Sequence, residues 1–490
     1  MTLRVTTHTE AARRFARTHC LRVSELPGRA LFSSERVTLG SHDGTHLDAP
    51  YHFYPTSEGA RAKRIDEVPL EWAFGNGLVL DFRHKAPTEA ITEYDVASAL
   101  EGLGRQPQPG DIVMLWTGGT DGFDDDPRFS DSAAGLNGGA LNYLFRLGVR
   151  IMSTDSATID MPIAIMREKF KSGDSAAYFP IHRAGRLTEW THAEKLANMG
   201  SLPAPYGFKV MLFPIKIAGG TGAWIRAVGI EDSWLDSTPV RLIDLSLPIM
   251  NHSFEPEPSH IDTVHHGLSR RRQAKLHGMK TGDIVHASAM DVVETYTQAG
   301  THVAAPAHFR DPEHDGAMSV DRVPLDWFYG DGVLLDFSQD KRPGERIGRT
   351  EIQAKLDRSG ASVSAETIVL VKTGAADAFD DDPSFPDLAP ALDGEAFTWL
   401  LDRGVRVVGS DCESLDGPVG PMVEALRAGR PDAFFPVHRA GRDRDFCLIH
   451  KMDLRGLTQH RGFKVAAFPI KLEDCGSAWT RAVALVPAGS

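Results

Sequence analysis

Four cysteines in 490 residues, Cys20, Cys412, Cys447 and Cys475, fall in no CxxC or metal-finger spacing, which excludes a disulfide framework and a thiolate zinc module. They read as reduced thiols, the state expected in the cytoplasm. Long hydrophobic runs are also missing: no stretch approaches the ~20 apolar residues that cross a bilayer. Met1 to His19 is polar and of mixed charge, without the apolar centre of a secretory signal. Basic charge is in deficit, with 53 Lys and Arg against 66 Asp and Glu and a formal net charge of −13. A phosphate-tracking nucleic-acid groove is therefore disfavoured. No block of like charge is long enough for a charged tail. These absences point to a cytoplasmic protein with neither membrane nor nucleic acid among its partners.

Histidine stands out among the residues present. There are 20, clustered near glycine and proline. A chain this long exceeds one ordinary core, so two domains are expected, and the sequence repeats itself accordingly. Ala177 to Arg186 recurs as Ala433 to Arg442. Phe123 to Pro127 recurs at Phe379 to Pro383. Gly207-Phe208-Lys209-Val210 returns at Gly462 to Val465, and Pro69-Leu70-Glu71-Trp72 as Pro324-Leu325-Asp326-Trp327. The spacing stays at 255 or 256, far longer than a solenoid repeat, and so indicates tandem domains. The join falls near Asp232 to Pro239, giving expected domains at 1–235 and 240–490.

Within each copy the pattern is mixed α and β. Leu78 to Phe82, Ile112 to Trp116, Val210 to Phe213 and Ala223 to Ile230 are apolar runs of strand length. Thr92 to Leu103 has helical spacing with Thr92 as cap, and Leu136 to Leu147 is a second helix ended by Gly148. Strands alternating with helices give an α/β, or mixed α+β, layered fold.

The densest chemistry lies in His42-Asp43-Gly44-Thr45-His46-Leu47-Asp48-Ala49-Pro50-Tyr51-His52. An extended chain after Gly44 puts His46, Asp48 and His52 on one face. A turn at Gly44 brings His42 back toward them. Imidazoles and a carboxylate converging on one point suit a borderline divalent ion, Zn²⁺ or Mn²⁺.

The HxGTHxDxPxH pattern at His42, Gly44, Thr45, His46, Asp48, Pro50 and His52 resembles the signature of the metal-dependent cyclase family, which includes bacterial kynurenine formamidase and isatin hydrolase. His182 followed twelve residues later by Glu194, in Glu194-Lys195-Leu196, is similar to the family's second signature. Ile217 to Val228 resembles its closing strand pair, with Trp224 where a proline is more usual. The resemblance implies a mixed, partly barrel-like sheet flanked by helices. It also implies that His42, His46 and Asp48 hold one ion, and that Asp48 bridges to a second held by His182 and Glu194. Some family members work with one ion. His52 would shuttle protons, with Glu194 counted beside it among the catalytic groups.

At the repeat spacing the second copy replaces His42 by Gln298, Asp48 by Ala304 and Glu194 by His450. His302, His308 and His438 remain. Losing both carboxylates removes the charge that would neutralise a dication; three histidines could in principle still hold Zn²⁺, but the second copy reads rather as a non-catalytic partner. Family enzymes resemble homodimers, so the tandem implies an intramolecular pseudo-dimer, with further homo-oligomerisation compatible.

Other features have blander readings. Asp155 and Asp160, repeated at Asp411 and Asp416, could orient histidine ligands, although retention in the degenerate copy favours a structural role. Asp124 to Asp126 reads as a solvated turn. His265-His266 and Arg270 to Arg272 suggest a lid, an interface or, preferably, an exposed helix. Trp72, Trp116 and Trp224 are aromatic-wall candidates better explained as packing.

The expectation is a metal-dependent enzyme acting at a carbonyl of a small, aromatic-compatible substrate, hydrolysing an amide, lactam or lactone. The alternatives are an aromatic polyketide cyclase closing rings by metal-assisted aldol chemistry and a non-catalytic binding protein.

Overall fold

The computed structural model describes residues 2–123, 129–251, 255, 258–379 and 382–489. The Asp124 to Asp126 turn lies outside them, as do Asp380 and Asp381 of its repeat. Among the described residues no helix is long and apolar enough to cross a membrane.

The chain forms two compact units, but these are not the contiguous bodies 1–235 and 240–490. One unit comprises Gly40–Ser237 with Asp262–Val292. The other comprises Met1–Leu39, Thr238–Ile261 and Val293–Ser490. Each unit thus takes an N-terminal arm from the other sequence copy. The arms carry polar residues whose partners lie on the body they join, which a contiguous reading cannot show.

The first-copy unit is built on β1 (His46–Asp48), β2 (Phe74–Asp81), β3 (Ile112–Trp116), β4 (Ile151–Thr154), β5 (Thr191–Glu194), β6 (Tyr206–Met211), β7 (Gly222–Trp224) and β8 (Val228–Ile230). Their order is β7-β1-β5-β4-β3-β2-β6-β8. The central strands β2 to β5 are parallel, and the flanking pairs are antiparallel. The expected single strand Ala223 to Ile230 is in fact two, on opposite edges of the sheet. Residues 225–227 join them, and so short a link reaches at most about 14 Å. Eight flat strands would span roughly 34 Å, so the sheet must roll, as expected of a partly barrel-like sheet.

Helices Glu93–Leu103 and Gly138–Arg146 cover the sheet. Thr92 caps the first, accepting from the Asp95 amide while Asp95 accepts from the Thr92 amide at 2.8 Å. Asn137 caps the second, and Gly148 follows it with φ +85°. Their apolar faces bury Val96, Leu100, Leu141 and Leu144 against Leu78, Leu80, Val113 and Leu115. The arm contributes helix His266–His277, with Ala274, Ile284 and Ala287 packed on Met166, Phe170 and Tyr178.

The second-copy unit repeats this plan with β9 (Val240–Asp244), β10 (His302–Ala304), β11 (Tyr329–Asp336), β12 (Thr367–Lys372), β13 (Val407–Ser410), β14 (Cys447–His450), β15 (Phe463–Ala466), β16 (Ser477–Trp479) and β17 (Val483–Pro487), in the order β9-β17-β15-β11-β12-β13-β14-β10-β16. All four cysteines are free thiols.

Candidate metal centre

Three local devices deliver the first-copy donors. Gly44, at φ +61°, turns the chain into β1, where strand alternation sets His46 and Asp48 on one face. β1 pairs with β5 so that His46 lies opposite Glu194 and Asp48 opposite His192. Pro50 does not prolong the extended chain to His52 as expected. It begins a one-turn helix, Pro50–Phe53, a position suited to its fixed φ and missing N–H. His52 reaches the same centre from that helix. His182 comes from another short helix, Pro180–Ala184, preceded by Phe179 at φ +48°. The same left-handed phenylalanine recurs at Phe435, so this strained launch belongs to the fold and not to one site.

Asp48 is the hub, with about 1% of its surface exposed. Its Oδ1 lies 2.6 Å from His42 Nδ1 and 3.2 Å from His46 Nε2. Its Oδ2 lies 3.7 Å from His52 Nε2, 3.7 Å from His182 Nε2 and 3.3 Å from His192 Nε2. That Oδ2 is buried without a hydrogen-bond partner, an arrangement that is costly unless something else satisfies it. Asp48, His182, His192 and Glu194 each offer a donor atom within 4.8 Å of the others, as do His42, Asp48 and His52. An orphaned carboxylate oxygen ringed by imidazole nitrogens fits a divalent cation.

The histidines are oriented for that role. His46 Nδ1 donates to the Gly44 carbonyl at 2.9 Å, and His52 Nδ1 to the Ala289 carbonyl at 2.7 Å. His182 Nδ1 donates to Asp160 at 2.5 Å. Because these acceptors engage Nδ1, each Nε2 is the nitrogen that faces Asp48. Glu194 Oε1 accepts from the Ile159 amide at 2.9 Å and lies 2.9 Å from His192 Nε2. His42 is held differently, with Nε2 3.0 Å from Thr221 Oγ1 and its carbonyl accepting from Lys195 Nζ at 2.7 Å.

Electrostatics follow the geometry. Burial alone would raise the Asp48 carboxyl, but His52, His42 and His192 outweigh it and hold it well below the usual carboxylate range. Burial pushes His46 down and His52 well below the usual imidazole range. Burial also opposes charge on His182, yet Asp160, Glu194 and Asp48 push it up to about 9.

All six residues read from sequence therefore meet in one place. Several others were missed. His192 sits two residues before Glu194, and strand alternation could have flagged it. Its ring stacks on Phe53 and Trp190. The second-copy arm supplies Ala289, His286 and Asp291. Asp291 Oδ2 accepts from Ser41 Oγ at 3.1 Å and Thr221 Oγ1 at 2.7 Å. His266, half of the His265-His266 pair, opens a helix as expected, and its Nε2 lies 3.2 Å from the His52 carbonyl. Asp155 and Asp160 divide their roles: Asp160 orients His182, while Asp155 accepts from the amides of Thr117, Gly118 and Gly119. Trp224 is buried opposite His46, and Trp116 lies under Arg83 at 3.6 Å.

In the second copy the orienting bonds survive around an empty hub. His302 Nδ1 donates to the Gly300 carbonyl at 3.0 Å, His308 Nδ1 to that of Ser33 at 2.7 Å, and His438 to Asp416. Ala304 stands where the hub would be. His450 stacks between His302 and His438, at 5.2 Å and 5.5 Å, with neither ring nitrogen bonded. Burial pushes His450 and His308 well below the usual imidazole range and His302 down to about 3. Lys451, the counterpart of Lys195, donates to the Gln298 carbonyl as Lys195 donates to that of His42, and is paired with Glu255 and Glu413. Among the described residues, three or more His, Cys, Asp or Glu donors converge only in the first-copy unit.

A rolled mixed sheet that gathers imidazoles and carboxylates around one buried aspartate defines a divalent-metal-binding α/β domain; the scaffold is written twice and the aspartate-centred donor set once among the described residues. The chain belongs to the family described as Putative cyclase, whose model matches residues 1–161 and 243–417. It is 27% identical over 195 residues to kynurenine formamidase of Salinibacter ruber, covering 39% of this chain and 77% of that protein. It is also 27% identical over 213 residues to isatin hydrolase of Roseibium aggregatum, covering 41% and 75%. A solved structure of isatin hydrolase A from Ralstonia solanacearum aligns with a TM-score of 0.40 at 20% identity, covering 50% of this chain and 92% of that one.

Proposed function

We propose that the first-copy site is a metal-dependent hydrolase centre for a small amide, lactam or lactone of aromatic character. The observation that carries this reading is the orphaned Asp48 Oδ2 faced by three imidazole nitrogens. Similarity to proteins named kynurenine formamidase and isatin hydrolase supports the substrate class.

His42, His46 and Asp48 would hold one ion. Asp48, His182 and Glu194 would hold a second, with His192 as a further candidate donor. The mixed imidazole and carboxylate set favours Zn²⁺ and accommodates Mn²⁺. Such an ion polarises a carbonyl and lowers the pKa of water to near neutrality.

The remaining chemistry belongs to the side chains. Burial disfavours the protonated form of His52, so its Nε2 can accept the proton that water loses as its oxygen bonds to the carbonyl carbon. The Ala289 carbonyl holds that ring in place through Nδ1. When the C–N or C–O bond breaks, His52 returns the proton to the leaving nitrogen or oxygen. Asp160 keeps His182 turned inward, and the Ile159 amide fixes Glu194.

The test is turnover of formanilide, an aryl lactam and an aryl lactone by zinc-loaded and manganese-loaded protein, read by mass. The expected result is one product heavier by one water from the lactam and the lactone, and aniline with formate from formanilide, all lost on chelation. Absence of these products with metal bound contradicts hydrolysis.

A further inference from the structure

The two arms are internal controls for one another, because they dock in the same register. Ser33 and His308 exchange amide-to-carbonyl and imidazole-to-carbonyl bonds at 3.1 and 2.7 Å in one unit. Ala289 and His52 do the same at 3.0 and 2.7 Å in the other. Within this common frame two positions change character. Where the second-copy unit has Ala30 and Phe32, the first-copy unit has His286 and Ser288.

Phe32 plugs the degenerate site. Its ring lies 4.6 Å from His438, 5.6 Å from His308 and 5.3 Å from Phe435. In the first-copy unit the corresponding apolar ring is gone. An imidazole takes its general place but stands further back, with His286 6.0 Å from His182 and 5.7 Å from Phe179. His286 Nε2 is 2.9 Å from Ser288 Oγ. His286 is about 1% exposed, and its Nδ1 is buried with no hydrogen-bond partner. A buried nitrogen left open beside a candidate metal ligand is costly in a structural wall and useful in a binding wall.

Resting on the hydrolase reading, we propose that His286 and Ser288 form a substrate-recognition pair, supplied to the live site by the second sequence copy. The open His286 nitrogen would hydrogen-bond a polar atom of a small aryl amide or lactam whose ring lies against Phe179 and Tyr54, the latter 5.3 Å from His286. The second copy therefore contributes specificity to a reaction it cannot perform.

The experiment measures, on full-length metal-loaded protein, both equilibrium binding and turnover of formanilide and oxindole, together with bound metal. His286→Leu is expected to weaken binding about tenfold, the loss of roughly one buried hydrogen bond. KM rises with it, while kcat stays within about twofold and metal content is unchanged. His286→Asn, which restores a polar group, recovers most of the binding. His286→Ala with Ser288→Phe rebuilds the second copy's plug and abolishes binding with metal retained. Binding by His286→Leu equal to the wild type overturns the inference, as does loss of metal in that variant, which would make His286 a support for His182. Failure of the wild type to bind either probe overturns the aryl-carbonyl class. Binding without metal-dependent turnover contradicts the hydrolase reading and leaves the recognition pair standing.

Discussion

The first-copy and second-copy sites share nearly every orienting bond and differ in what those bonds surround. Asp160 and Asp416 hold equivalent histidines, and backbone carbonyls fix His46 and His302 alike. At the centre, Asp48 has Ala304 as its counterpart and Glu194 has His450. The scaffold outlasts the charge because it also packs the core. Orientation alone therefore does not make a metal site. The carboxylates that neutralise a dication do, and replacing them with a stacked neutral imidazole removes both ligand and counter-charge.

The contrast can be broken from either side. The largest effect is expected for Asp48→Ala, which removes the donor shared by both groups of ligands. Turnover should fall by about a thousandfold or more, since the ion's contribution is several kcal/mol. Equal turnover would separate the chemistry from the metal. His52→Ala should lower kcat by about 10²–10⁴ with metal retained. Loss of the ion in that variant would make His52 a ligand. Asp160→Asn should weaken metal affinity about 10–100-fold, measured by competition with a chelator, whereas Asp416→Asn should leave affinity unchanged. Converting Gln298→His, Ala304→Asp and His450→Glu together should add about one ion per chain by elemental analysis, because the surviving histidines are already aimed. No added metal would show that Phe32 also forbids the site. The smallest contrast is at matched helix caps. Thr92→Ala should cost about 1 kcal/mol in denaturant unfolding, while Gly348→Ser should add a few tenths.

Much of the site was legible because it is local. Eleven residues from His42 to His52 carry four of the six expected groups, and their spacing encodes a turn and a strand. The fixed offset of 256 exposed the second copy's losses without any structure. His52 reaches the cluster by a route other than the expected extended chain, since a proline that suits an extended chain also suits the first turn of a helix. The arm residues were illegible for a different reason. His286, Ala289 and Asp291 lie more than 230 residues from His52, and no periodicity links them to it. Only exchange of arms brings them there, and exchange is a tertiary choice. Glu35 offered a hint: it stands at the repeat position of Asp291 and is buried, accepting from Thr297 Oγ1 at 2.7 Å and the Gly476 amide at 2.8 Å.

The central claim is that two similar scaffolds contain one metal centre. Elemental analysis of the purified full-length chain, beside Asp48→Ala, tests it most directly. The account predicts about one or two ions per wild-type chain and none in the variant, the range set by the two groups of donors around Asp48. Three or four ions in the wild type, or ions that persist without Asp48, would contradict it.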